Sequence, residues 1–155
     1  TRTANDHVTF KQFQAANDMH RKDVREVMDF MSHKMQDAGM NHDITKKTQE
    51  KMFYNDFIET LETGKNFENS EWANMHWKAE RHHLNRCVPD DVNLIDVIEM
   101  IADCVCAGKA RSGEIRPIKI DFGILNKAFM NTVELIDDNT KVIELLDQDT
   151  DKYGR

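Results

Sequence analysis

The chain has 155 residues, with 28 acidic side chains against 21 lysines and arginines and a formal net charge of −7. This length predicts one domain over residues 1–155, with a core at about 9–146 and a frayed C-terminal tail. The acidic balance argues against general nucleic-acid binding, which needs a basic face. No apolar stretch is long enough to predict a membrane span. Two prolines and six glycines argue against a sandwich or barrel.

The N-terminal segment and the cysteines favour a cytoplasmic protein. Thr1–Phe10 is polar and has no hydrophobic core of a signal peptide. The cysteines are odd in number, and Cys104 and Cys106 are two apart in a helical pattern, so their side chains diverge. We therefore expect buried free thiols rather than disulfides.

The hydrophobic periodicity predicts an all-α protein, a bundle of about five to six helices. The first helix is expected at Thr9–Gln36, with His20 among the apolar residues of one inner face and a stop at Gly39. A second helix is expected at Lys46–Glu62, ended by Gly64.

The rest of the chain follows the same logic. In chain order we predict a third helix from Glu71, capped by Ser70, to about Arg86, and a fourth, central and mostly apolar helix from about Asp91 to Val105. A polar loop bracketed by Gly108 and Gly113 and a short extended segment at Ile115–Asp121 are expected next. A final helix is expected at Ile124–Leu146, followed by a frayed tail from Asp147.

Imidazoles and carboxylates occur where a helical core should be apolar. His42 and Asp43 are adjacent at the start of a helix, where both side chains can reach one point. Asp103 falls in the apolar run at 101–105, where an unpaired carboxylate would cost several kcal/mol and so needs a cation or donors. Each residue alone also has an ordinary structural explanation. His20 can be a satisfied core histidine, and Asp103 can pair with an arginine.

The order of these residues resembles the HD-domain superfamily of metal-dependent phosphohydrolases. Residues 41–46, Asn-His-Asp-Ile-Thr-Lys, look like the His-Asp-x-x-Lys form of its signature, and His20 matches the upstream histidine. Residues 96–103 are similar to the helix that carries the closing aspartate, here Asp103. The resemblance covers about residues 13–111.

A small bacterial and phage branch of this superfamily is more similar still. It has a downstream histidine pair, here His82-His83, and a Glu-Met-x-x-Asp helix, here at 99–103. The chain departs from that branch at Leu84 and Asn85, where Pro-Glu is expected.

The resemblance implies an HD-like bundle and hydrolysis of a small phosphorylated substrate, a nucleotide by preference, by a water that the metal activates. Mixed imidazole and carboxylate ligands suit Mn, Fe, Co, Ni or Zn as the divalent transition metal. The expected metal ligands are His20, His42, Asp43 and Asp103. The residues expected to bind phosphate, transfer protons, hold a further ion or orient a ligand are Lys46, His76, Arg81, His82, His83 and Glu99.

Alternatives remain open at this point. In a dinuclear variant, His76 with His82 or His83 would hold a second ion, and the chemistry would be phosphodiester hydrolysis or oxidation. In a non-catalytic interaction protein, the same residues would hold a structural metal. Separately, the third-helix histidines near 76–83 can be ordinary surface or interface residues of a polar helix. Apolar residues of the last helix would suit a homodimer.

Overall fold

The computed structural model describes residues 8–115 and 117–141, and within these ranges it is helical with no strand. The predicted all-α class is therefore confirmed. The elements are α1 (Phe10–Asn41), α2 (Ile44–Thr48), α3 (Glu50–Thr63), a 3₁₀ turn (Phe67–Asn69), α4 (Glu71–Ala79), α5 (Leu94–Ser112) and α6 (Phe122–Asn139). None of the described helices is both long enough and apolar enough to cross a bilayer.

The described chain forms two compact units. The first contains residues 8–32 and 136–141, and the second contains the described residues of 33–135. Helices α1 and α6 each contribute residues to both units. The predicted tail from Asp147 lies outside the described residues.

Two predicted helix stops differ in the structure. Gly39 does not end the first helix, which continues to Asn41, and Gly108 is buried inside α5 rather than bordering a loop. Both glycines keep a helical backbone conformation, so neither of them ends its helix. Gly64 and Gly113 do end helices, and each adopts the left-handed conformation that favours glycine at this position.

Of the other predicted helices, the second is divided into two and the third is shorter than expected. The second predicted helix divides at Gln49, whose backbone (φ −126°, ψ 31°) leaves the helical region between α2 and α3. The third predicted helix ends at Ala79 instead of Arg86, because Glu80 is extended. Its predicted N-cap is confirmed, since Ser70 Oγ accepts from the Ala73 N–H. The described residues between α5 and α6 form neither helix nor strand.

The core of the second unit forms around α5 and α6. Its fully buried members come from the turn after α4, from α5 and its approach, and from α6, and they are Leu84, Val92, Val97, Met100 and Ala128. The α5 start is fixed by a capping box in which Asn93 and Asp96 satisfy each other's backbone N–H groups. Thr132 of α6 also accepts from the Leu94 N–H, so α6 caps the same helix end.

An aromatic cluster supports α4. Trp72 is 2% exposed and stacks on Phe53, with ring centroids 4.0 Å apart, and on His76, with centroids 4.5 Å apart. Phe57 and Phe67 complete the cluster. Because burying an aromatic ring contributes about 1.5–3 kcal/mol, this cluster holds the His76 ring firmly.

Three expectations about burial were wrong. His20 and its predicted inner-face neighbours Phe13 and Val24 are exposed, and Ala16 is the buried residue of α1. Asp103 is only half-buried, with 30% of its side chain exposed. The three cysteines are free as predicted, but Cys106 is exposed.

Candidate metal centre

Asp43 lies in the turn between α1 and α2 in a backbone conformation that side chains rarely adopt. Its φ of 54° makes it the one non-glycine residue in the left-handed region among the described residues. Aspartate tolerates this region better than most residues, although at some energetic cost. It occupies the N-cap of α2, yet its side chain makes no capping hydrogen bond. The turn thus directs the carboxylate toward the histidines instead.

Glu99 of α5 orients the first of these histidines. His42 Nδ1 lies 2.9 Å from Glu99 Oε1, and because a carboxylate only accepts, His42 Nδ1 carries the proton. In a ring whose single proton is on Nδ1, the Nε2 atom presents a lone pair. It lies 3.4 Å from Asp43 Oδ2 and 3.6 Å from Asp103 Oδ1. Glu99 and Asp103 approach the same ring because they are one helical turn apart.

Thr45 and Glu80 orient the second histidine. The Thr45 hydroxyl donates to Glu80 Oε1 at 2.6 Å, so its remaining contact, 2.6 Å from His76 Nδ1, must be one in which it accepts. His76 therefore carries its proton on Nδ1. Its Nε2 lone pair lies 3.3 Å from Asp43 Oδ1 and 2.8 Å from His83 Nε2.

His82 and His83 belong to the turn after α4, which buried Leu84 anchors in the core. His82 is 1% exposed; its Nδ1 lies 3.1 Å from Glu99 Oε1, and its Nε2 lies 3.7 Å from Asp43 Oδ1. Neither His82 nitrogen has a well-aligned hydrogen bond to any described residue. Glu99 thus lies beside the Nδ1 atoms of two imidazoles.

At the centre of this arrangement one buried oxygen is left without a hydrogen-bond donor among the described residues. Asp43 Oδ1 is buried without a hydrogen-bond partner among the described residues, while the Nε2 atoms of His76 and His82 face it. Acceptors that face one another in a buried place are costly unless a cation or a proton lies between them. Two ligands bound about 2.1 Å from one tetrahedral ion are about 3.4 Å apart, which is close to the 3.3–3.7 Å separations around Asp43.

Two groups of side chains could hold a metal ion. One is His42, Asp43 and His82, and the other is Asp43, His76 and His83. We call these five residues the Asp43 cluster. The two groups share Asp43, whose Oδ2 also accepts from the Lys46 ammonium. Asp103 contacts His42 but belongs to neither group.

The protonation states in the cluster are set by burial and by neighbouring charges. Burial would raise the pKa of Asp43, but the Lys46 ammonium outweighs it and holds that pKa below its ordinary value. Burial lowers the pKa of His76, and burial together with the two neighbouring imidazoles lowers the pKa of His83 to about 3. Burial also opposes protonation of His82, but the Glu99 carboxylate prevails and raises its pKa. Glu99 itself has a lowered pKa, since His82 and His42 outweigh the effect of its burial.

The structure brings most of the predicted site residues together and leaves two out. The predicted residues that belong to the Asp43 cluster or contact one of its members are His42, Asp43, Lys46, His76, His82, His83, Glu99 and Asp103. His20 is exposed on the part of α1 in the first unit, and neither candidate group contains it.

Arg81 differs from its predicted role as a phosphate-binding cation. Its Nε and Nη2 atoms donate to the two oxygens of buried Asp96 at 2.8 and 2.9 Å. Its Nη1 and Nη2 atoms also donate to the Asp91 carboxylate and carbonyl. These carboxylates raise the pKa of Arg81. Its guanidinium therefore joins the turn after α4 to the start of α5 and has little capacity left for a ligand.

Thr45 and Glu80 were not among the predicted site residues. Both are buried, and Glu80 accepts from the backbone N–H as well as from the hydroxyl of Thr45. Nothing in the sequence marks this pair. Their only signal is position, since Thr45 follows the His-Asp pair by two residues and Glu80 lies four residues after His76.

Comparison of the chain with protein-family models, with curated proteins and with solved structures gives no match. The resemblance to the HD-domain superfamily therefore stays a prediction from its motifs.

Proposed function

We propose that the chain is a metal-dependent phosphohydrolase that acts on a small phosphorylated substrate. One observation carries the proposal. Asp43 Oδ1 is buried and has no hydrogen-bond partner among the described residues. Imidazole rings whose Nδ1 atoms face Thr45 or Glu99 direct their Nε2 atoms toward this oxygen. A histidine that binds a metal commonly donates its other nitrogen's proton to such an acceptor. The donor set fits a divalent ion of the series Mn, Fe, Co, Ni or Zn.

The ion would be held by His42, Asp43 and His82, with Asp103 next to His42. When bound, such an ion lowers the pKa of a water molecule and polarises a phosphoryl oxygen. Asp43, His42 and His82 need little rearrangement to bind it, because Glu99 lies beside the Nδ1 atoms of both imidazoles. Preorganisation of this kind reduces the cost of binding.

The chain's own side chains would divide the remaining tasks. Lys46 keeps 42% of its side chain exposed beside Asp43, so its ammonium can pair with a substrate phosphate from the solvent side. His83, with a pKa of about 3, stays neutral at physiological pH and is suited to bind a metal rather than to donate a proton. The expectation of a nucleotide substrate comes from the motif resemblance alone.

A dinuclear centre is the second candidate, and a specific observation favours it. The group of Asp43, His76 and His83 shares its carboxylate with the first group, so Asp43 could bridge two ions. Two-metal sites commonly serve phosphoester hydrolysis by clamping the attacking and leaving oxygens. The number of Mn²⁺ ions bound per chain at saturation separates the two candidates.

The test is a screen for phosphate release from phosphomonoesters and nucleotides with Mn²⁺, Co²⁺ or Fe²⁺. We expect Asp43→Asn and Asp103→Ala to abolish release, and asparagine keeps the left-handed backbone accessible. Asp37→Ala, at an exposed position of α1, is the matched control and should retain activity. Phosphate release that survives both Asp43→Asn and Asp103→Ala would contradict the proposal. A metal that only raises the melting temperature, with no compound turned over, would favour the structural-metal alternative.

A further inference from the structure

A solvent-open cavity of about 300 Å³ lies beside the Asp43 cluster, within the second unit. Its polar end is formed by His42, Glu99 and Asp103. This end is therefore the same place where a lone pair of His42 faces Asp43 and Asp103. A molecule in the cavity would have one end at the candidate metal centre.

The other walls of the cavity are apolar or small. They come from the last turns of α1 and from one face of α5, and include Met35, Ala38, Ile95, Ile98 and Ala102. No lysine or arginine is found among the described residues that line it. A chain of phosphates would find no cation along these walls, whereas an uncharged apolar group would gain free energy by leaving water.

The size of the cavity limits the group that it can take. One water molecule occupies about 30 Å³ of the liquid, so a cavity of 300 Å³ has room for at least about ten water molecules. An organic group of about ten non-hydrogen atoms displaces a similar volume. This matches an alkyl chain of eight to ten carbons or a substituted aromatic ring.

We propose that this cavity binds an uncharged alkyl or aryl group of the substrate while the phosphate of the same molecule lies at the Asp43 cluster. The inference rests on the proposed function and narrows it. The preferred substrate is a phosphomonoester of an apolar alcohol or phenol, rather than a nucleoside di- or triphosphate.

The experiment uses phosphonates, which the enzyme cannot hydrolyse, so that binding is measured without turnover. The Mn²⁺-loaded protein is titrated calorimetrically with inorganic phosphate and with methyl-, butyl- and octylphosphonate. Affinity should rise about fourfold per added methylene group up to octyl, because each group leaves water for an apolar wall. Adenosine monophosphate should bind more weakly than octylphosphonate. An affinity independent of chain length, or tighter binding of the nucleotide, would overturn the inference.

A filled cavity provides the second arm. Ala102→Leu places a larger side chain on the α5 wall and should weaken octylphosphonate at least tenfold while leaving methylphosphonate unchanged. Ala110→Leu makes the same change at an exposed position of α5 outside the cavity, so it should alter neither affinity. Equal octylphosphonate affinity in both variants would place the alkyl group elsewhere and overturn the inference.

Failure of the inference and failure of the proposed function give different results. Mn²⁺ binding is measured first, on the same protein, and its absence contradicts the proposed function. In that event 1-octanol, which needs no metal, is titrated into the wild-type and Ala102→Leu proteins. Binding that the substitution weakens supports an apolar cavity ligand, and no binding overturns it. Mn²⁺ binding with no effect of chain length overturns the inference alone.

Discussion

Glu99 lies beside two imidazoles of the Asp43 cluster, and we therefore expect its removal to weaken metal binding. Its Oε1 atom is 2.9 Å from His42 Nδ1 and 3.1 Å from His82 Nδ1. In Glu99→Leu the His42 ring loses the acceptor that fixes which nitrogen is protonated, and the His82 ring loses the carboxylate beside its Nδ1 atom. Each ring is then free to rotate or to present a protonated Nε2 atom to the metal.

The size of the loss in metal affinity depends on the number of imidazoles beside Glu99, which is two. Loss of a group that orients a single ligand imidazole typically costs tenfold to hundredfold in metal affinity. With two imidazoles affected, we expect Glu99→Leu to weaken Mn²⁺ binding by about hundredfold, or about 2.7 kcal/mol. Glu99→Gln should weaken it by about tenfold, because an amide oxygen can still accept from His42 Nδ1 and lie beside His82 Nδ1, but without the negative charge.

Mn²⁺ titration followed by calorimetry measures these affinities, with circular dichroism to confirm that each variant remains helical. Glu62→Leu, at an exposed position of α3, is the matched control and should bind Mn²⁺ as the wild type does. If a folded Glu99→Leu protein has a Mn²⁺ affinity within threefold of the wild-type affinity, Glu99 does not orient the metal ligands.

Three further predictions test other parts of the account. His20→Ala should leave Mn²⁺ affinity unchanged, since His20 is exposed and outside both candidate groups, and a tenfold loss would restore it as a ligand. Arg81→Met should destabilise the fold by about 3 kcal/mol in urea unfolding, because Asp96 would be left as a buried unpaired charge; a phosphate-affinity defect with unchanged stability would contradict this structural role. Mn²⁺ affinity should fall as pH decreases from 8 to 5, because the pKa of His82 is raised above its ordinary value of 6.5 and a protonated imidazole cannot bind a metal. His83, with a pKa of about 3, should not contribute to that loss, and a pH-independent affinity over this range would count against His82 as a ligand.

Part of the site was predictable from spacing along the chain. The His42-Asp43 pair precedes a helix, and Glu99 and Asp103 are four residues apart on another, so each pair had to share a place or a face. The turn conformation of Asp43 was not visible in the sequence. That turn decides which way the carboxylate points.

The remainder depended on contacts between distant segments. The periodicity of the first helix predicted an inner face for His20, but it could not show whether any element covers that face, and the residue is exposed. Arg81, close to several histidines in sequence, had the appearance of a phosphate ligand. Its carboxylate partners are 10 and 15 residues further along the chain, and only the fold brings them to the guanidinium.

The helix boundary after Ala79 had the largest effect on the cluster. A helix continued to Arg86 would have directed His82 about 100° away from His83. Because α4 ends earlier, the turn allows both His82 and His83 to lie near Asp43, each in one of the two candidate groups. Burial of Glu80 beside Thr45 accompanies this early end, and neither residue type predicts it.

Anomalous diffraction from a crystal of the protein soaked in Mn²⁺ tests the central claim most directly. We expect an anomalous peak about 2.0–2.3 Å from Asp43 Oδ1, with a histidine Nε2 atom at a similar distance from the peak. A well-ordered cluster with no manganese at Asp43, or manganese bound only elsewhere on the chain, would contradict it.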